Sequence, residues 1–213
     1  MKMDKVASFA GFDTLFNINP FYDAVGKIGK RYDVDEDTAK NEFKKIEKEL
    51  MSDDYQKYSA LIEAALNKTA KNLGFKVSPS DFSDLLIAHT ATIRPFPDAP
   101  TALYEAKRKG YKTVLMTNHS RDLIGANIIN LDHEFDLVVT SEDVEAYKPN
   151  KKFFDYVEQQ LGKTEKHVHI AVDQVKDLDP ARRQGWETIT INRDDVLADG
   201  TVESLVDAVE ALG

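Results

Sequence analysis

The sequence predicts an α/β fold: a parallel sheet covered on both faces by helices, with an all-helical segment inserted after the first strand. Three observations predict it. From about Asp98 onward, short apolar runs alternate with amphipathic stretches of helical length, the pattern of strands joined by helical crossovers. One apolar run, residues 5–10, stands apart near the N-terminus. Between the two lie about 75 residues that read as helix, too many for an ordinary crossover.

Each element has its own signal. Lys-Val-Ala-Ser-Phe-Ala at 5–10 is short and apolar, as a buried strand is. Helices are predicted near 20–33, 36–51 and 79–89. Another carries Tyr55, Tyr58, Leu61, Ile62, Ala65, Leu66 and Leu73 on one stripe, with Asp53 or Asp54 as its cap and Gly74 as its stop. A helix at 98–109 is stopped by Gly110, and a strand follows at 111–116. Then come a helix near 120–129, a strand at 137–139, a helix at 150–161, a strand at 168–172, a short helix at 179–184 and a strand at 187–191. A final helix is predicted to open at Thr201. The expected organisation is a core of residues 1–16 and 92–213, with a helical segment at 17–91.

A chain of 213 residues can build one sizeable α/β domain carrying a smaller one. Its 42% hydrophobic and 31% charged residues are ordinary for a soluble globular protein. No apolar run reaches the roughly 18 residues of a membrane span. The start, Met1-Lys2-Met3-Asp4-Lys5, lacks the apolar core of a signal peptide, so a cytoplasmic location is expected. With no cysteine, thiolate nucleophiles, thiolate metal sites and disulfides drop out. A net charge of −9 opposes nucleic-acid binding, which neutralises phosphates with Lys and Arg. Small anionic substrates stay open, because a pocket can be locally positive on an acidic protein.

Ligands of open parallel sheets bind at the carboxyl ends of the strands, so those ends carry the functional reading. The first predicted strand leads into Ala10-Gly11-Phe12-Asp13-Thr14-Leu15-Phe16 and the second into Thr117-Asn118. Lys148-Pro149 follows the third and precedes a helix. The fourth leads into Asp173-Gln174-Val175-Lys176-Asp177. Singly, each reads equally as a turn or a cap. Together they place a threonine, a Thr-Asn pair, a lysine and an aspartate pair at successive strand ends around a helical insert.

That order resembles the haloacid dehalogenase superfamily over the whole chain. The resemblance implies a Rossmann-like core with an inserted all-helical cap. It matches Thr14 and Leu15 to the first motif, Thr117 to the second, Lys148 to the third, and Asp173 with Asp177 to the fourth. Ala10 stands where the first motif carries its nucleophilic Asp. Members of the superfamily form an ester by carboxylate attack on phosphorus or on a halogen-bearing carbon, and water then hydrolyses it. Phosphoryl-transferring members need Mg²⁺. The resemblance implies that Asp173 binds it directly, Asp177 supports it and the Phe12 carbonyl adds an oxygen. Thr117, Asn118 and Lys148 would hold the substrate. A Mg²⁺-dependent phosphatase of a small phosphorylated metabolite, without its nucleophile, is the leading expectation. The acidic fourth motif favours it, whereas Phe12 favours a metal-free 2-haloacid dehalogenase and Ala10 a non-catalytic binding protein. A shifted nucleophile at Asp13 lacks the threonine four residues on, since Asn17 stands there. The retained motifs imply either a changed position 10 in a working enzyme or a recent loss with binding kept.

Other features read as structural. His167 and His169 share one face of a predicted strand with no third ligand nearby. His119, Ser120 and Arg121 read equally as a helix start or as substrate contacts. Lys107-Arg108-Lys109 ends a helix, where cations suit the dipole.

Overall fold

The computed structural model describes residues 3–193 and 201–213, so the predicted start at Met1 and Lys2 and the core segment 194–200 lie outside the described residues. β1 (Asp4–Ala10) leads through a tight turn into β2 (Phe16–Asn17). Four helices follow: α1 (Asn19–Arg31), α2 (Glu36–Leu50), α3 (Tyr58–Leu73) and α4 (Pro79–Thr92). β3 (Arg94–Pro95) then returns antiparallel to β2. Next come α5 (Ala99–Arg108), β4 (Tyr111–Thr117), α6 (Arg121–Ile128), β5 (Leu137–Thr140), α7 (Ser141–Val144) and α8 (Lys151–Leu161). β6 (Thr164–Ala171) runs into a π-helical turn at Gln174–Leu178 and α9 (Asp179–Arg183). β7 (Glu187–Ile191), β8 (Thr201–Val202) and α10 (Leu205–Glu210) complete the chain.

Six of these strands form one sheet in the order β5-β4-β1-β6-β7-β8, with every neighbouring pair parallel. Such a sheet is buried on both faces, and the period-two alternation of its strands shows how. Ala7 and Phe9 of β1 pack in one cluster with Leu103 and Ala106 of α5 and Leu205 of α10. Val6 packs in another with Val114 and with Phe153, Phe154 and Val157 of α8. The central place of β1 puts its carboxyl end, Ala10, between those of β4 and β6.

The structure corrects several boundaries. α3 begins at Tyr58 after Lys57, without a side-chain cap, so neither Asp53 nor Asp54 starts it. Gly74 does end it, in the left-handed conformation that a glycine adopts at least cost. The final helix does not open at Thr201. Thr201 and Val202, both β-branched, pair with β7, and Ser204 caps the helix by accepting the Asp207 N–H. β6 starts four residues earlier than predicted. The two-residue ribbon of β2 and β3 and the short α7 gave no sequence signal, being too brief for a period to show.

α1 and α2 meet at a glycine. A methyl group on Gly29 would lie 2.5 Å from the Cβ of Ala39, whereas one on Gly125 of α6 would meet nothing within 4 Å. Gly29→Ala is therefore expected to lower stability by about 1–3 kcal/mol through overpacking, despite a helix-propensity gain of about 1 kcal/mol. Gly125→Ala is expected to be neutral or stabilising. Urea denaturation of both variants checks this, and a stabilising Gly29→Ala would contradict the close packing of α1 on α2.

Candidate functional site

The carboxyl ends of the central strands lie level, with Ala10 registered to Met116 and Thr117 to Thr140. A cavity of about 380 Å³ opens there. Ala10, Phe12, Thr14, Thr117, Asn118, Lys148, Asp173 and Asp177 all border it, so the structure brings the predicted residues to one place. Gly11 lets β1 approach β4, since a Cβ there would stand 3.1 Å from the Thr117 hydroxyl.

Lys148 is almost fully buried, at 5% exposure. A lysine held so deep needs a partner. Its ammonium donates to Asp177 Oδ1 and, at 3.2 Å, to the Met116 carbonyl. Asp177 is as deeply buried and also accepts from His169 Nε2 at 3.1 Å. Burial pushes its carboxyl up, but the charge of Lys148 and the bond from His169 outweigh it and hold the group at about 2. An ammonium has three N–H groups, and two are committed here.

Several predicted site residues act as braces. Asn118 accepts from the Lys148 amide at 2.7 Å and donates to the Lys148 carbonyl at 3.1 Å, so its side chain positions Lys148 more than it addresses a ligand. The Thr14 hydroxyl accepts from the Val172 amide at 3.2 Å, tying the turn after β1 to the end of β6. Thr117 Oγ1 accepts from the His119 amide at 3.3 Å. Asp173 caps the π-helical turn, with Oδ1 accepting from the Val175 and Lys176 amides at 2.9 and 2.7 Å.

The four-helix segment supplies the opposite wall, which the sequence reading missed. Lys44, Glu47, Lys48 and Met51 of α2 and the residue after it border the cavity at spacings of three and four, one helical stripe that could have marked a pocket-facing side. Glu47 is buried and accepts from the hydroxyls of Tyr22 (2.8 Å) and Tyr58. Burial raises its carboxyl above the ordinary range against the pull of those two bonds. His119 is buried between Phe12 and Tyr58, with ring centroids 3.7 and 3.9 Å away, and its Nδ1 lies 2.7 Å from His89 Nε2. It stands in the wall of the cavity as a packed ring, not on a solvated helix start.

The donor set falls short of a divalent cation. Asp177 Oδ1 is spent on Lys148 and His169, and Asp173 Oδ1 on two backbone amides. The other Asp173 oxygen lies 3.5 Å from the Lys176 ammonium. The Ala10 side chain offers no oxygen. Among the described residues no three His, Asp, Glu or Cys side chains group so as to hold a metal. Mg²⁺ relies on carboxylates and ligand oxygens, and with a methyl group at position 10 the side chains as arranged fall short of such a set.

Among the described residues, no helix is long and apolar enough to cross a membrane. A family described as haloacid dehalogenase-like hydrolase matches residues 36–191. The (S)-2-haloacid dehalogenase of Pseudomonas sp. (strain YL) is 30% identical over 141 residues, which cover 65% of this chain and 60% of that protein. The glyceraldehyde 3-phosphate phosphatase of Methanocaldococcus jannaschii is 28% identical over 214 residues, covering 93% of this chain and 92% of its own. Among solved structures, the L-2-haloacid dehalogenase from Xanthobacter autotrophicus with chloropropionic acid covalently bound superposes with a TM-score of 0.80 at 19% identity, covering 98% of each chain. A phosphatase from Thermococcus onnurineus gives 0.64 at 21% identity, again covering 98% of each. At those identities the superpositions speak for the fold.

The buried histidines set an expected pH response. Burial pushes His89 down to about 4 and His167 to about 3, and it lowers His119 and His169 as well. In the unfolded chain each titrates near 6.5, so the unfolded state binds more protons below that pH. Stability is thus fully present above 6.5 and lost as pH falls toward the folded values. His89 alone is expected to remove about 2 kcal/mol by pH 5. Asp177, held at about 2, adds its loss only below about 4. Denaturation midpoints at pH 7, 6 and 5 check this, and a flat profile would contradict the neutral buried histidines.

Proposed function

This chain belongs to the haloacid dehalogenase-like hydrolase family, and on that footing we propose that it binds a small anion, a phosphate monoester first, without the nucleophile to hydrolyse it. One observation carries the reading. Ala10 ends β1 in the cavity, registered to Met116, whose carbonyl holds the Lys148 ammonium. The methyl group thus ends the strand beside the one whose carbonyl holds the buried cation, and Ala10 and Lys148 line the same cavity. In relatives with Asp at this place, the carboxylate attacks and forms the ester that water cleaves. A methyl group cannot, and losing a nucleophile costs several orders of magnitude in rate.

What is left suits binding. Lys148 keeps one N–H beyond its two internal bonds, and Thr117 lines the same cavity. Lys44 and Lys48 bring further positive charge from α2. Residues 17–91 act in this reading as a cap over the core of 1–16 and 92–213, with its inner wall choosing the substrate. A 2-haloacid carboxylate is the second reading, supported by the commitment of Asp177 to Lys148 and by the shortage of metal donors. Of the two curated relatives described above, one is a dehalogenase and the other a phosphatase.

The unaltered chain is expected to bind inorganic phosphate yet turn over neither phosphate monoesters nor 2-haloacids. Ala10→Asp adds a carboxylate near Asp173 and is expected to confer monoester hydrolysis together with Mg²⁺ binding that phosphate strengthens. Calorimetric titration and activity panels on both forms check this. Hydrolysis of 2-haloacids without metal by the Ala10→Asp form would replace the phosphatase reading with the second. Substantial turnover by the unaltered chain would overturn the role given to position 10.

A further inference from the structure

Behind the cavity, on the face of the sheet covered by α8, a line of hydrogen bonds reaches the Lys148–Asp177 pair from below. Ser8 of β1 faces β6 in register with His169, and Val6 in register with His167. Ser8 Oγ lies 2.8 Å from His167 Nε2 and 2.8 Å from His169 Nδ1. His169 Nε2 continues to Asp177 Oδ1 at 3.1 Å, and Asp177 holds Lys148. Ser8 and His169 are fully buried. At the far end His167 stacks on Trp186 with centroids 3.7 Å apart, beside a second cavity of about 510 Å³.

Proton counting gives this line a direction. The Asp177 oxygen can only accept, so His169 Nε2 carries a hydrogen. A neutral His169 then has a bare Nδ1, which must accept from the Ser8 hydroxyl. With its own hydrogen donated, the Ser8 oxygen accepts from His167 Nε2–H. Every link donates toward Asp177. The reverse order would set the bare Nε2 of His169 against the carboxylate, two acceptors facing each other. An imidazolium at position 169 would put a second cation, fully buried, next to Lys148.

We propose that Ser8, His167 and His169 are positioning residues for Lys148. Their one-way chain fixes the Asp177 carboxylate and shares its Oδ1, which leaves the ammonium incompletely neutralised and its remaining N–H aimed at the anion. The proposal rests on the cavity being an anion site. It gives the paired strand histidines a role that a packing function alone does not require.

Nitrogen-resolved NMR of the imidazoles in the full chain tests it, alongside inorganic phosphate titration. At neutral pH both His167 and His169 are expected as neutral Nε2–H tautomers. Ser8→Ala removes the central link. It is expected to release His167, whose tautomers then mix while Asp177 keeps the hydrogen on His169 Nε2, and to weaken phosphate binding about fivefold, roughly the share of one hydrogen bond. Ser8→Thr, which restores the hydroxyl, is expected to recover both. His169 found as the Nδ1–H tautomer or as imidazolium in the unaltered chain would overturn the proposal, whatever the variants do. So would a folded Ser8→Ala with an unchanged His167 tautomer and unchanged affinity. Failure of the unaltered chain to bind phosphate would count against the anion reading, while the tautomers would still decide the direction of the chain.

Discussion

A buried ammonium and a buried carboxylate organise this molecule's sheet edge. Removing each ion from water costs several kcal/mol, so Lys148 and Asp177 persist inside only because they meet each other and further bonds complete them. The Met116 carbonyl at the end of β4 and His169 from β6 supply those bonds. Asn118 pins the Lys148 backbone from both sides, and Ser141 in turn donates to the Asn118 carbonyl at 2.7 Å. The pair therefore fixes where β4, the segment before α8 and the end of β6 converge. Ala10 lies at that convergence because β1 runs between β4 and β6.

Much of this was legible because the relevant signals are local. Alternating apolar runs and helical stripes gave the parallel sheet and its helical insert. Reading the residues after each strand gave Thr14, Thr117, Lys148, Asp173 and Asp177, since a parallel sheet delivers every strand end to the same edge. The illegible parts depend on tertiary placement. The stripe at 44, 47, 48 and 51 marks one side of α2 and the residue after it, but its charged composition equally suits a solvated face, and only its packing across the cavity makes it a wall. Strand alternation put His167 and His169 on one face, but their partner Ser8 is set by the β1–β6 register, which no single strand encodes. Asp173 and Asn118 are chemically able to meet a ligand, yet backbone bonds claim them, local ones for Asp173 and ones to the distant Lys148 backbone for Asn118. Thr201 and Val202 were absorbed into the helix that follows them, because two residues carry too little pattern to oppose a longer stripe.

Phosphatases and dehalogenases are both found among the relatives, and carboxylates at two strand ends bear on the difference between them. By the family resemblance, a metal-dependent phosphoryl site would draw oxygens from the ends of β1 and β6 together. Here β1 contributes a methyl group, and β6 contributes carboxylates already committed to Lys148 and to backbone amides. The cation remains, and in the proposed reading it holds an anion. On that reading binding and bond cleavage are separable, since the bonds of Lys148 to Met116 and Asp177 do not involve the side chain at position 10. His119, wedged between Phe12 and Tyr58, links the turn after β1 to α3 and joins the two walls of the cavity.

A double-mutant cycle on folding stability tests the organising pair most directly. Lys148→Met and Asp177→Asn each leave a buried charge without its counterpart, and each is expected to cost about 3–5 kcal/mol. Together they remove both charges, so the double variant is expected to lose clearly less than the sum, with a coupling of about 2–3 kcal/mol. Additivity within about 0.5 kcal/mol would show that the two groups do not depend on each other, and the account of the sheet edge would be wrong.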